Sequence, residues 1–146
     1  MRLTAATVKE QEFILSHAVQ SAKEAMHQKD GVNEEKIKSF PYMILSVGGY
    51  YAVLRQDDDT LIGWVLLGEH VDFFTEKKVG FIYELYVLPT FRGQGLSKVL
   101  IEKSLKVLQQ RGYTEVQLNV YKGNFAKEIY KKLGFSELQT LMGIQL

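Results

Sequence analysis

Apolar and polar positions along the chain alternate between two periods, and the switches mark the elements. Leu3 to Ala6 reads as a short strand. Thr7 and Glu10 then form a capping-box pattern, in which Thr7 accepts from the Glu10 amide while Glu10 reaches back. A helix is predicted from there to about His27, with Lys29-Asp30-Gly31 as its stop. Asn33, Glu34 and Glu35 supply the cap and acidic first turn of a second, shorter helix, predicted to end before Pro41. After Gly48 and Gly49 the period falls to two. Tyr50 to Leu54 and Leu61 to Leu67 flank the turn-forming Asp57-Asp58-Asp59, which predicts a hairpin, and Phe81 to Val87 adds a third antiparallel strand.

From Leu96 the helical period returns. Leu96, Val99, Leu100, Val107 and Leu108 share one stripe, which Arg111-Gly112 should end. Glu115 to Tyr121 alternates as a strand, with Val116, Leu118 and Val120 on one face. Phe125, Ile129 and Leu133 mark a last helix stopped by Gly134, and a final strand is expected within Phe135 to Leu146. This order predicts a mixed α/β sheet with helices on both faces.

Composition narrows the function. The chain has 146 residues, 46% hydrophobic and 24% charged, within the usual range of a single globular domain, here residues 1–146. The absence of cysteine excludes disulfides, thiolate-zinc sites and a cysteine nucleophile. A net charge of +1 offers no broad field for nucleic acid or an anionic membrane. No segment reads as a membrane span or a leader, so a cytoplasmic location is the expectation. His17, His27 and His70 lack metal-ligand spacing, so no metal is expected.

The segment Glu84 to Ser97, ELYVLPTFRGQGLS, carries the chemistry: a strand running through a short loop into a helix. Gly93 and Gly95 clear side chains where backbone must approach a ligand, and a helix start offers unpaired amides at its positive end. Arg92 adds a cation at the rim. Taken alone, RGQG reads equally as a plain turn or as a phosphate loop, and it matches neither a dinucleotide fingerprint nor a P-loop.

In context the segment resembles the acyl-CoA signature of the GNAT superfamily of N-acetyltransferases, Arg/Gln-x-x-Gly-x-Gly/Ala. Here Ser97 stands in the last position, where the family has Gly or Ala. The resemblance extends to Leu85–Pro89 before the loop and to Ala126–Phe135 after it, roughly the C-terminal 55 residues in all. It implies a GNAT-like fold: a central, mostly antiparallel twisted sheet with a splayed cofactor slot. It also implies acetyl-CoA as co-substrate and a primary amine, on a small molecule or a protein, as acceptor; a homodimer is common among similar proteins.

Residue by residue, the backbone of Leu85, Tyr86 and Val87 would pair with the pantetheine arm. A bulge there would splay the strand from its neighbour, and one amide would polarise the thioester carbonyl. The amides of Arg92, Gly93, Gln94, Gly95, Leu96 and Ser97 would hold the pyrophosphate. Tyr130 matches the family tyrosine that protonates the departing sulfur; the other reading of it is a helix tyrosine with its hydroxyl in water. Asn124 resembles a family asparagine that contacts the cofactor, one residue short of the common spacing; it also reads as a plain N-cap.

For the base, Glu84 lies one residue before the cofactor-gripping stretch. It also reads as an exposed strand residue or one paired to a lysine. Some family members use a glutamate on the next strand, where this sequence has Asn119, so the other route is a water chain to Glu69, His70 or Asp72. The missing cysteine argues for direct attack in a ternary complex over a cysteinyl acyl-enzyme, with other nucleophiles left open. A non-catalytic acyl-CoA sensor is the rival reading, and an interaction domain without CoA binding is the third.

Overall fold

In the computed structural model, which describes residues 1–27 and 30–146, five strands form one sheet in the order β1-β2-β3-β4-β5. Strands β1 (Arg2–Ala5), β2 (Tyr50–Arg55), β3 (Leu61–Val71) and β4 (Lys78–Val87) make an antiparallel meander, and β5 (Val116–Leu118) joins β4 in parallel. Helices α1 (Val8–Ser16), α2 (Ala18–Met26) and α3 (Glu34–Ser46) precede the hairpin, α4 (Leu96–Gln110) links β4 to β5, and α5 (Ala126–Lys132) follows β5.

Strand alternation divides the core in two. Ala52, Leu54, Val65, Leu67, Ile82 and Val87 pack with Leu96, Leu100 and Leu108 of α4. Tyr51, Val53, Trp64, Leu66 and Tyr86 project to the other face and meet Ile14 of α1 and Ile44 of α3. Helices therefore cover both faces, as the hydrophobic pattern predicted. Gly63 lets β3 lie close to β4: a Cβ added there would sit 2.3 Å from the Tyr86 carbonyl oxygen. Gly63→Ala is expected to cost roughly 1–3 kcal/mol through overpacking against rigid backbone, read as a lower Tm in thermal unfolding.

Local capping follows the sequence. Thr7 and Glu10 form the complete capping box, and Asn33 Oδ1 accepts from the Lys36 amide. Four expectations need correction. The first helix breaks at His17 instead of running unbroken to His27; Ser16 Oγ donates to Phe13 O at 2.6 Å and His17 Nδ1 lies 2.9 Å from the same oxygen, competing with the helical ladder. Of its expected stop, Lys29 lies outside the described residues. The second helix passes through Pro41 to Ser46. The missing amide costs about 3 kcal/mol, and burial of Pro41 and Ile44 offsets it.

The remaining two corrections concern the edge. β5 spans Val116–Leu118, shorter than the expected Glu115 to Tyr121, because β4 turns away from it after Ile82. No strand forms among residues 135–146. A strand exists only as a pair, and the backbone bonds of this segment stop at Phe135 N to Tyr130 O. Beyond it, Lys127 pairs with Glu137 at 2.5 Å, holding the segment beside α5 and away from a sheet edge. Among the described residues, no helix is long and apolar enough to cross a membrane.

Candidate active site

The site begins at an irregularity in β4. Leu66 of β3 opposes Glu84, but the next residue, Leu67, opposes Ile82, so Tyr83 is an extra residue bulged into the ladder. Two consequences follow. Pairing with β5 covers Gly80, Phe81 and Ile82 and ends there, so the strands part at the bulge. The bulge also resets the alternation: Ile82 belongs to the α4-side core, while Tyr83 and Tyr86 pack on the opposite face, with Trp64 and Tyr51.

Glu84 is held on that second face by three donors. Oε1 accepts from Trp64 Nε1 at 2.8 Å and from Ser21 Oγ at 2.9 Å, and Oε2 accepts from Tyr51 Oη at 3.3 Å. Burial, reinforced by the Glu84 charge, pushes the Tyr51 phenol well above its usual value, so it stays a donor. Oε2 thereby carries one bond and keeps a lone pair for a proton. Two of the three other proton routes, Glu69 and Asp72, are engaged elsewhere, while His70 meets the Phe81 ring. Glu69 Oε2 accepts from Tyr113 Oη at 2.7 Å, and Asp72 Oδ1 takes the Phe74 and Thr75 amides and the Thr75 hydroxyl. These bonds, led by those from Thr75, hold the Asp72 carboxyl below the usual range.

At the other end of β4, a 3₁₀ turn at Pro89–Phe91 leads into the glycine loop. Gly93 and Gly95 have φ of +77° and +72°, the left-handed region that favours glycine, and a Cβ at either would meet nothing within 4 Å. The first bond of α4 runs from Val99 N to Gly95 O, leaving the Leu96, Ser97 and Lys98 amides ahead of it free to donate. The Arg92 amide is spent on Pro89 O, so the free donors begin beyond it. Its side chain turns back: Nε donates to Val87 O at 2.9 Å, Nη2 pairs with Glu24 at 2.8 Å, and the guanidinium lies over the Tyr86 ring. Gln20 Nε2 completes this cluster with a bond to Tyr86 Oη at 3.2 Å.

Tyr130 is 9% exposed on α5, ring to ring with Phe135 at 5.8 Å, and burial raises its phenol pKa. Asn124 uses both ends of its amide in the fold: Oδ1 accepts from the Ala126 amide, and Nδ2 donates to Ala25 O at 3.1 Å, tying α5 to the end of α2. The structure thus joins Glu84, Tyr86 and Arg92 into one network through α2. Among the described residues, no hydrogen bond or ring contact links Tyr130 to them. Sequence reading missed Ser21, Gln20 and Glu24, which α2 delivers to the network; nothing in their spacing marks them. A cavity of about 220 Å³ between Tyr50, Glu69 and Arg111 lies apart from this group.

The sequence and the fold are similar to those of known proteins. An uncharacterized N-acetyltransferase of Archaeoglobus fulgidus is 32% identical over 96 residues, 64% of this chain and 65% of its own. The N-alpha-acetyltransferase 30 of Schizosaccharomyces pombe is 32% identical over 92 residues, 62% of this chain and 61% of its own. The chain therefore matches less than two thirds of the length of either relative. A Pyrococcus furiosus structure described as an acetyl transferase superposes with a TM-score of 0.81 at 20% identity, covering 99% of this chain and 100% of that one. The aminoglycoside N-acetyltransferase AAC(6')-Iy in complex with CoA gives 0.67 at 19% identity, with 99% and 93% covered. At these identities the two structures show the fold. The sequence model of the acetyltransferase (GNAT) family matches residues 16–135, well beyond the segments that carry the motifs, and the chain belongs to that family.

Proposed function

We propose that this protein moves an acetyl group from acetyl-CoA to a primary amine by direct attack in a ternary complex. The observation that carries this reading is the layout of β4. It parts from β5 at the Tyr83 bulge, holds a carboxylate at the next residue, and ends at a glycine-lined helix start.

The residues fit the group they would hold. Open space at Gly93 and Gly95, with the amides of Leu96 and Ser97, suits the diphosphate of CoA. Gln94 stands between the two glycines, so its backbone belongs to the same cradle. The Leu85–Val87 edge, freed of β5, suits the amide-bearing pantetheine arm. Arg92 braces this edge through Val87 O and Glu24, and Asn124 sets the start of α5. When bound, acetyl-CoA supplies an activated acetyl thioester.

Glu84 Oε2 takes the proton of the incoming ammonium, freeing its nitrogen lone pair. That nitrogen bonds to the thioester carbonyl carbon and the C–S bond breaks; Tyr130, a phenol protonated at neutral pH and held so more firmly by burial, gives its proton to the leaving sulfur and regains one from the acylated nitrogen. Tyr130→Phe is expected to lower kcat about tenfold or more while leaving the KM for acetyl-CoA unchanged. Thiol release from acetyl-CoA over a panel of amines tests the whole reading. Calorimetric CoA binding without turnover of any amine would favour a sensor, and no binding at all would remove the phosphate-loop assignment.

A further inference from the structure

We propose that the acceptor is an amine bearing an apolar, preferably aromatic, body next to its nitrogen, an inference that rests on the acetyl-transfer reading above. The Tyr83 bulge divides β4 into two approaches. Leu85–Val87 and the glycine loop occupy the C-terminal side, so an acceptor that meets the thioester at Glu84 comes from the N-terminal side.

That side presents rings. Phe40 of α3 meets Tyr83 edge-on with centroids 6.2 Å apart, Tyr83 lies 4.5 Å from Phe81, and Phe81 lies 5.5 Å from His70. The row begins at Tyr83, the residue before Glu84, on the face that holds the Glu84 partners Trp64 and Tyr51. It continues onto solvent-facing α3, where Phe40, Met43 and Val47 are 41%, 57% and 76% exposed at helical spacing. Phe81 itself is buried, so the accessible part of the row is the half-buried Tyr83 with Phe40 and the α3 stripe, an apolar surface beside a carboxylate that fits an apolar body. An ammonium crossing it is stabilised by the ring faces until it reaches Glu84.

The rings set the preference over a polycation. Polyamines and aminoglycosides lack an apolar body to lie against Phe40 and Tyr83, and the nearby carboxylates, though still charged, already accept hydrogen bonds, Glu69 from Tyr113 and Asp72 from the Phe74 and Thr75 amides. Lys77 neutralises Glu115 at 2.9 Å, and Lys78 adds a positive charge at the start of β4. One ammonium finds a partner in Glu84, and the body behind it lies on rings rather than in a cluster of carboxylates.

The test compares kcat/KM at fixed acetyl-CoA for 2-phenylethylamine, a Phe-led tripeptide, a Ser-led tripeptide, spermidine and kanamycin, with Phe40→Ala alongside the unaltered chain. The aromatic-bodied amines are expected to exceed spermidine and kanamycin by about tenfold or more, and Phe40→Ala should erase most of that preference through KM for the amine. The two aromatic acceptors distinguish a small amine from a peptide N-terminus as the source of the same chemistry. Equal or better turnover of spermidine or kanamycin, or a preference indifferent to Phe40→Ala, overturns this inference alone. CoA binding with no amine acetylated overturns the acetyl-transfer reading and the inference with it.

Discussion

Gly95→Asp is expected to weaken CoA binding by roughly tenfold to a hundredfold, about 1.4 kcal/mol for each factor of ten. Gly95 precedes α4 at φ +72°, and the space its absent side chain leaves is open. A carboxylate in that space would face a diphosphate at short range and compete with it for the positive end of a helix of 15 residues. Two effects mix in this variant, so Gly95→Ala is the control. Any side chain at this φ strains the backbone by about 1–2 kcal/mol, which appears in the Tm of the ligand-free protein. The charge appears in the affinity and shrinks as salt rises. Titration calorimetry of both variants at two ionic strengths separates them. Equal affinity for CoA in Gly95→Asp and the unaltered chain would remove the glycine loop from the cofactor site.

The loop was legible in the sequence because its physics is local: a left-handed backbone calls for glycine, and a helix start follows within a residue. The same holds for the Thr7 and Glu10 capping box, whose partners stand three residues apart. The setting of Glu84 was not legible, since Trp64, Tyr51 and Ser21 lie 20, 33 and 63 residues from it and meet it only through the fold. The break at His17, which the helical period concealed, starts the separate helix that carries Ser21 and Gln20. At the C-terminal end the pattern promised more than the fold delivers. Met142, Ile144 and Leu146 alternate like a strand, yet periodicity reports only which faces match, and pairing needs an edge within reach.

At Ile82, Glu84 and Tyr86 the bulge overrides simple strand alternation. Without Tyr83 as an extra residue, Glu84 and Tyr86 would share a face with Ile82, under α4. With it, Glu84 reaches the Trp64 and Tyr51 side, where α2 adds Ser21 and where Arg92 and Glu24 close over Tyr86. The cofactor edge and the carboxylate are thus consequences of one inserted residue, which both frees the strand from β5 and turns the side chain toward the helical layer.

Glu84→Gln is expected to lower turnover by about a hundredfold or more near neutral pH, with the fold intact. The amide is nearly the same shape: its oxygen can keep the Trp64 and Ser21 bonds, and its nitrogen can donate to the Tyr51 hydroxyl, which accepts as readily as it donates. The Tm should therefore move little, whereas Glu84→Ala would strand the Trp64 N–H and lower stability by about 1–3 kcal/mol. The pH profile carries the distinction between base and scaffold. If Glu84 removes the ammonium proton, the glutamine variant must wait for amine already deprotonated in solution, a fraction that rises about tenfold per pH unit below the amine pKa. Its deficit should accordingly be deepest at low pH and narrow as pH rises. A variant-to-native ratio of kcat that stays flat from pH 6 to 9 would leave Glu84 as a positioning residue that orders Trp64, Ser21 and Tyr51, with the proton leaving by another route.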